Sequence, residues 1–111
     1  MGITITTRDI EGVTIFDLVG RMSFPDPHLQ ATLAGLLKEG RKGFVINLAG
    51  VTYMDSYGLH DLVTAYHAVK VAGAKLVLLK PIPNVKKTIE ITIKNAFEIL
   101  EDEAAAIQAA G

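Results

Sequence analysis

Asp55-Ser56-Tyr57-Gly58-Leu59 is the stretch whose residue types and spacing could do chemistry. It lies between Phe44-Val45-Ile46-Asn47-Leu48, an apolar run that reads as a strand buried on both faces, and a segment with helical apolar spacing. A strand-to-helix junction exposes free backbone N–H groups and the positive end of the helix dipole. A serine placed there can cap the helix. It can also accept a phosphoryl group, whose charge the same N–H groups and dipole would hold without unfolding the domain. Asp55 is a second candidate for the cap, and the residue types alone leave both uses of Ser56 open. Gly58 would leave room for the close approach of a partner.

Other chemistries fit the stretch less well. A nucleophile elbow of the G-x-S-x-G kind needs a glycine where Met54 stands. Ser56 and His60 are four residues apart and within reach on a helix, yet no acid is placed to orient His60, as a hydrolase would require. His60 and His67 are seven apart, about 10 Å along a helix, too far to ligate one ion together. No phosphate-binding glycine loop occurs, and no metal or cofactor is expected. The expectation is a protein that is not an enzyme.

At 100° per residue, Ser56, His60, Thr64, His67 and Val71 fall on one stripe of the helix, offset from the core face carried by Leu59, Leu62, Val63, Tyr66 and Val69. A stripe with a hydroxyl, two imidazoles, a threonine and a valine is not an ordinary charged solvent face. It suits a surface covered by another protein, although single apolar residues on a surface are normal.

The elements that position this stretch are legible on both sides of it. Ile3 to Arg8 alternates apolar and polar residues, Val13 to Val19 is rich in β-formers, and Asp9-Ile10-Glu11-Gly12 between them reads as the turn of a hairpin closed by Gly20-Arg21. Asp26 and Pro27 suit the N-cap and first position of a helix with Leu29, Leu33, Leu36 and Leu37 on one face and Gly40 at its end. After the Ser56 helix, Gly73 is a stop and Lys75 to Leu79 a second buried strand. Asn84 to Thr92 is a short helix with Val85 and Ile89 inward, Phe97 to Leu100 a last short strand, and Glu101-Asp102-Glu103 opens a helix ending near Ala110. Strands joined through helices must be parallel. The fold class is therefore α/β: a mixed sheet opened by an N-terminal hairpin, with about four helices, in one domain over residues 1–111.

Composition sets the class of partner. The 111 residues carry 11 basic and 12 acidic side chains, a formal net charge of -1, which argues against a nucleic-acid binder needing a basic surface. There is no cysteine, hence no disulfide and no thiolate chemistry. No run approaches the length of a membrane span, and the N-terminus lacks the pattern of a signal peptide. Met1-Gly2 with Thr6 matches the myristoylation pattern, but Ile3 to Thr7 reads better as a strand. A small cytoplasmic module is expected.

The stretch Phe-Val-Ile-Asn-Leu-Ala-Gly-Val-Thr-Tyr-Met-Asp-Ser-Tyr-Gly-Leu, Phe44 to Leu59, resembles the signature of STAS domains, more particularly the stand-alone bacterial anti-sigma factor antagonists. The likeness extends to the hairpin ending in Gly20, to Gly73 before Lys75–Leu79, and to the Pro83-x-Val85 helix start. It implies partner switching. Ser56 would be phosphorylated by an anti-sigma factor that is itself a serine kinase, the unphosphorylated form would bind that kinase and free a sigma factor, and a serine phosphatase would reset the cycle. The implied contact surface comprises Asp55, Tyr57, Gly58 and Leu59, the helix positions His60, Thr64 and His67, and the Gly20 to Ser23 connection with Arg21. Tyr57 stands where the family often has a second serine, and Ser23 where many antagonists carry an Asp. Two other readings accompany this one: a STAS scaffold or sensor in a signalling assembly with Ser56 as a cap, and a small-ligand or nucleotide binder using the helix N-terminus as an anion site.

Overall fold

The computed structural model describes residues 3–23, 27–92 and 97–111. Its elements are β1 (Ile3–Ile10), β2 (Val13–Met22), α1 (Pro27–Lys38), β3 (Gly43–Met54), α2 (Ser56–Val71), β4 (Lys75–Leu79), α3 (Pro83–Thr92), β5 (Glu98–Leu100) and α4 (Glu103–Ala110). The five strands form one sheet in the order β1-β2-β3-β4-β5. β1 runs antiparallel to β2, because a connection of two residues, Glu11-Gly12, can only reverse the chain. The other neighbours, each joined through a helix, are parallel.

Strand alternation sorts the core into two halves. Phe16 and Leu18 of β2, Phe44, Ile46 and Leu48 of β3, and Leu76 and Leu78 of β4 point to one face, where Leu29 and Leu33 of α1, Leu62 and Val69 of α2, and Val85 and Ile89 of α3 cover them. The residues between, Val13, Ile15, Val45, Val77 and Leu79, point to the other face and meet Ala106 and Ala110 of α4. The continuous apolar runs of β3 and β4 thus follow from burial on both faces. Gly73 ends α2 in the left-handed region, φ 73°, which frees its N–H for the Lys70 carbonyl and that of Ala74 for Val69. No helix among the described residues is long and apolar enough to cross a membrane.

Several boundaries differ from the sequence reading. β1 continues to Ile10, so the turn is only Glu11-Gly12, and β2 continues through Gly20-Arg21 to Met22. β3 does not stop at Leu48 but runs to Met54, since register irregularities between Asp17 and Val19 and between Gly20 and Arg21 absorb the extra β3 residues near Ala49 and at Thr52 and keep pairing intact. Val63, expected in the core, is 41% exposed, and Ala65 takes the inward position instead. α2 therefore rests on the sheet through the arc of Leu59, Leu62, Ala65 and Val69. The proposed Asp26 cap lies outside the described residues, as do Met1 and Gly2 of the acylation pattern.

One polar cluster on the α4 side of the sheet ties three strands to the last helix. Arg8 donates to Asp17 from Nε at 2.6 Å and to Glu103 from Nη2 at 2.6 Å, while Asn47 donates to Asp17 at 2.7 Å. It thereby links β1, β2, β3 and α4. The Arg8 hydrogen bonds, opposed by partial desolvation, hold the carboxyls of Asp17 and Glu103 below the usual range. A depressed folded pKa contributes stability above the unfolded pKa, and that contribution is lost as pH falls through the folded value. Asp17→Asn should cost about 1 kcal/mol at neutral pH, given the partial exposure of the pair. Urea titrations should show the difference from wild type closing below about pH 4; a difference independent of pH would contradict this account.

Candidate functional site at the β3–α2 junction

Met54 ends β3 pointing into the core, only 5% exposed, and the chain turns at Asp55 into α2. Asp55 has extended backbone, φ -121° and ψ -161°, and its carboxylate Oδ1 accepts the Tyr57 N–H at 3.0 Å, while its carbonyl accepts the first helical bond from Leu59 at 3.0 Å. This is the geometry of an N-cap. The choice left open between Asp55 and Ser56 is thereby resolved: Asp55 caps, and Ser56 is the first residue of the helix. Its side chain is exposed, and its hydroxyl makes no hydrogen bond with the described residues. Asp55→Ala should therefore cost about 1 kcal/mol of unfolding free energy. Ser56→Ala should stay within about 0.5 kcal/mol of wild type in the same denaturant titration.

The junction is held against β2. The Asp55 N–H donates to the Met22 carbonyl at 3.3 Å, and Met22 pairs in register with Met54. Gly58 is packed onto this point, where an added Cβ would lie 2.6 Å from the Met22 carbonyl oxygen, 2.7 Å from Met22 Cβ and 2.8 Å from Met54 Cγ. The expectation that Gly58 leaves room for a partner is therefore corrected: the space is filled by the protein's own β2 and β3. Leu59, 7% exposed, is likewise turned into the core rather than outward.

The surface around Ser56 is made by other residues. Tyr57 is 53% exposed, and His60, Thr64, His67 and Val71 are all exposed along α2, so the stripe read from helical spacing is a continuous outer face. Ser23 is half-buried just past the end of β2. Arg21 is not on this surface. Its neighbour Met22 points into the helix-covered core, so Arg21 points to the opposite face, where its guanidinium lies over the ring of its register partner Tyr53, 4.2 Å from the centroid. The sequence grouping of Arg21 with the α2 stripe is thus separated by the thickness of the sheet. Two residues that spacing did not single out brace the junction. Thr52 donates to the Gly20 carbonyl at 3.3 Å, and Asn84, at the start of α3, donates to the Thr52 carbonyl at 3.5 Å. Neither carries a sequence signal, because both contacts bridge segments about thirty residues apart.

The arrangement presents a free hydroxyl at the positive end of a sixteen-residue helix, next to a broad, mostly uncharged outer face. It can take a covalent anion without disturbing any internal contact. Comparison with known proteins places the fold. An anti-sigma factor antagonist from Mycobacterium paratuberculosis is similar over 98% of this chain and 94% of its own, with a TM-score of 0.84 at 21% identity. The anti-sigma factor antagonist SpoIIAA in its unphosphorylated form matches over 96% of each chain, with a TM-score of 0.75 at 15% identity. The Bacillus cell fate determinant SpoIIAA in its phosphorylated form matches over 99% of this chain and 100% of its own, with a TM-score of 0.72 at 16% identity. At these identities the likeness is one of fold. Among curated proteins, a sequence search finds no match. The family model of the STAS domain matches residues 4–106, and the chain belongs to the STAS domain family.

Proposed function

We propose that this STAS domain is an anti-sigma factor antagonist that works by binding rather than by catalysis. In this reading the unphosphorylated domain docks on a serine-kinase anti-sigma factor through the outer face of α2 and the Ser23 end of β2. The partner transfers the γ-phosphoryl group of ATP to the Ser56 hydroxyl oxygen; the hydroxyl proton is lost and ADP leaves. The phosphorylated domain is released, a serine phosphatase hydrolyses the ester, and sigma-factor-dependent transcription follows the cycle.

The observation that carries this reading is the division of labour at the junction: Asp55 takes the cap, leaving the Ser56 hydroxyl exposed and unengaged. A serine with only a capping role would have its oxygen turned onto the N–H groups. Support also comes from the structural neighbours, anti-sigma factor antagonists among them, one of which exists in phosphorylated and unphosphorylated forms. The test is incubation with the cognate kinase and ATP, followed by intact-mass measurement. One phosphoryl group should be added to the wild type and none to Ser56→Ala; addition at another residue, or none at all, overturns the reading.

A further inference from the structure

The edge strand β1 and its neighbouring helix α1 share an unexplained feature. β1 is the outermost strand, and among the described residues it pairs with β2 alone. Edge strands are usually blunted by charge, proline, bulges or shortness. β1 is eight residues long, pairs with β2 without a register shift, and has no charge or proline from Ile3 to Thr7. Arg8, the first charge, is drawn away to Asp17 and Glu103. α1 beside it carries no Asp, Glu, Lys or Arg from Pro27 to Leu37, in a chain where 21% of residues are charged. Depletion of charge over a contiguous surface is the compositional mark of an interface core.

The surfaces enclose a groove of about 390 Å³ lined by Ile3, Ile5 and Thr7 of β1 and by His28 and Thr32 of α1. Gly35 follows Thr32 on the same side of the helix by spacing. Glycine in a helix interior costs roughly 1 kcal/mol relative to alanine. At Gly58 that cost has an internal reason; at Gly35 an added Cβ would meet nothing within 4 Å among the described residues. No packing among the described residues requires Gly35, whereas close approach of a second backbone would.

We propose that β1 and the outer side of α1 form a homodimer interface, in which β1 pairs antiparallel with β1 of a second copy about a two-fold axis near Ile5–Thr6, and the two α1 helices approach at Ala31 and Gly35. The charge pattern sets the direction in which two copies can pair. A parallel pairing would set Arg8 against Arg8 and Asp9 against Asp9, which is destabilising. The antiparallel pairing puts both charges beside the uncharged Ile3–Thr4 end of the other copy. The strand already has the alternation that the groove receives, and the two-fold makes the contact self-complementary. Such an axis is perpendicular to the sheet, so both α2 faces with their Ser56 lie on the same side of a continuous ten-stranded sheet.

Sedimentation velocity of the full chain, with two substitutions, tests this. Wild type should move from the 11.9 kDa monomer toward twice that mass as concentration rises to about 100 μM. Thr6→Lys places lysine beside Asp17 within its own sheet but against a second lysine across the axis, and Gly35→Glu fills space that is open only in the monomer. Both should remain monomeric, with the melting temperature of Gly35→Glu at or above that of the wild-type monomer. A wild type that stays monomeric throughout overturns the proposal and leaves the edge to an extended segment of another protein. A dimer untouched by both substitutions overturns it equally.

Discussion

Ser56→Asp should abolish partner binding while leaving the domain folded. The substitution places a permanent carboxylate at the first position of α2, where the helix dipole tolerates or favours it, so the melting temperature should shift by no more than a few degrees. Docking is different. The outer face around Ser56 holds Tyr57, His60, Thr64 and His67, and carries no lysine or arginine before Lys70. A carboxylate buried under a partner on this face would lose its water without gaining a cation from this chain, at a cost of about 3 kcal/mol or more. That corresponds to a loss of at least about 100-fold in affinity. Calorimetric titration against the cognate kinase should show wild-type affinity for Ser56→Ala and near-complete loss for Ser56→Asp. Equal binding by both variants would remove the switch from Ser56.

The second large effect is structural and lies two residues further along. Gly58→Ala should destabilise the domain by about 2 kcal/mol, even though alanine is the better helix former by roughly 1 kcal/mol. The new methyl group would lie 2.6 Å from the Met22 carbonyl oxygen and 2.7 Å from Met22 Cβ, atoms fixed by the β2–β3 pairing rather than the movable tip of a side chain. The start of α2 must therefore lift from the end of β2, stretching the Asp55–Met22 hydrogen bond. For a domain of this size the loss corresponds to a fall in melting temperature on the order of 10 °C. Because the shift moves Asp55 and Ser56 together, phosphorylation by the kinase should slow as well. A variant as stable as wild type would mean that α2 is not seated as described.

Much of the architecture was legible along the chain because its signals are local. Apolar period 2 marked β1, a β-rich composition marked β2, period 3.6 marked α1 and α2, nearly continuous apolar runs marked the doubly buried β3 and β4, and Gly73 marked a stop. The same locality explains the errors. Nothing within a few residues of Leu48 tells that β3 continues to Met54; the extension depends on pairing with Val19 to Met22, roughly thirty positions earlier. Val63 fits an apolar helix face by spacing, yet α2 meets the sheet through Leu59, Leu62, Ala65 and Val69, which puts Ala65 inside in its place.

For the site, the sequence by itself determined that a serine follows an aspartate at a strand-to-helix junction, ahead of a stripe of uncharged polar side chains on one helix face. Those are properties of residue type and of backbone period, and they do not depend on what lies opposite. Only the tertiary structure decided which of the two residues caps, because capping is a choice of backbone conformation set by how β3 ends against Met22. It also turned Gly58 from an opening for a partner into a contact within the chain, and it moved Arg21 to the other side of the sheet. In each case the deciding neighbour is distant in sequence and brought close by β2–β3 pairing, a contact that one-dimensional spacing does not carry.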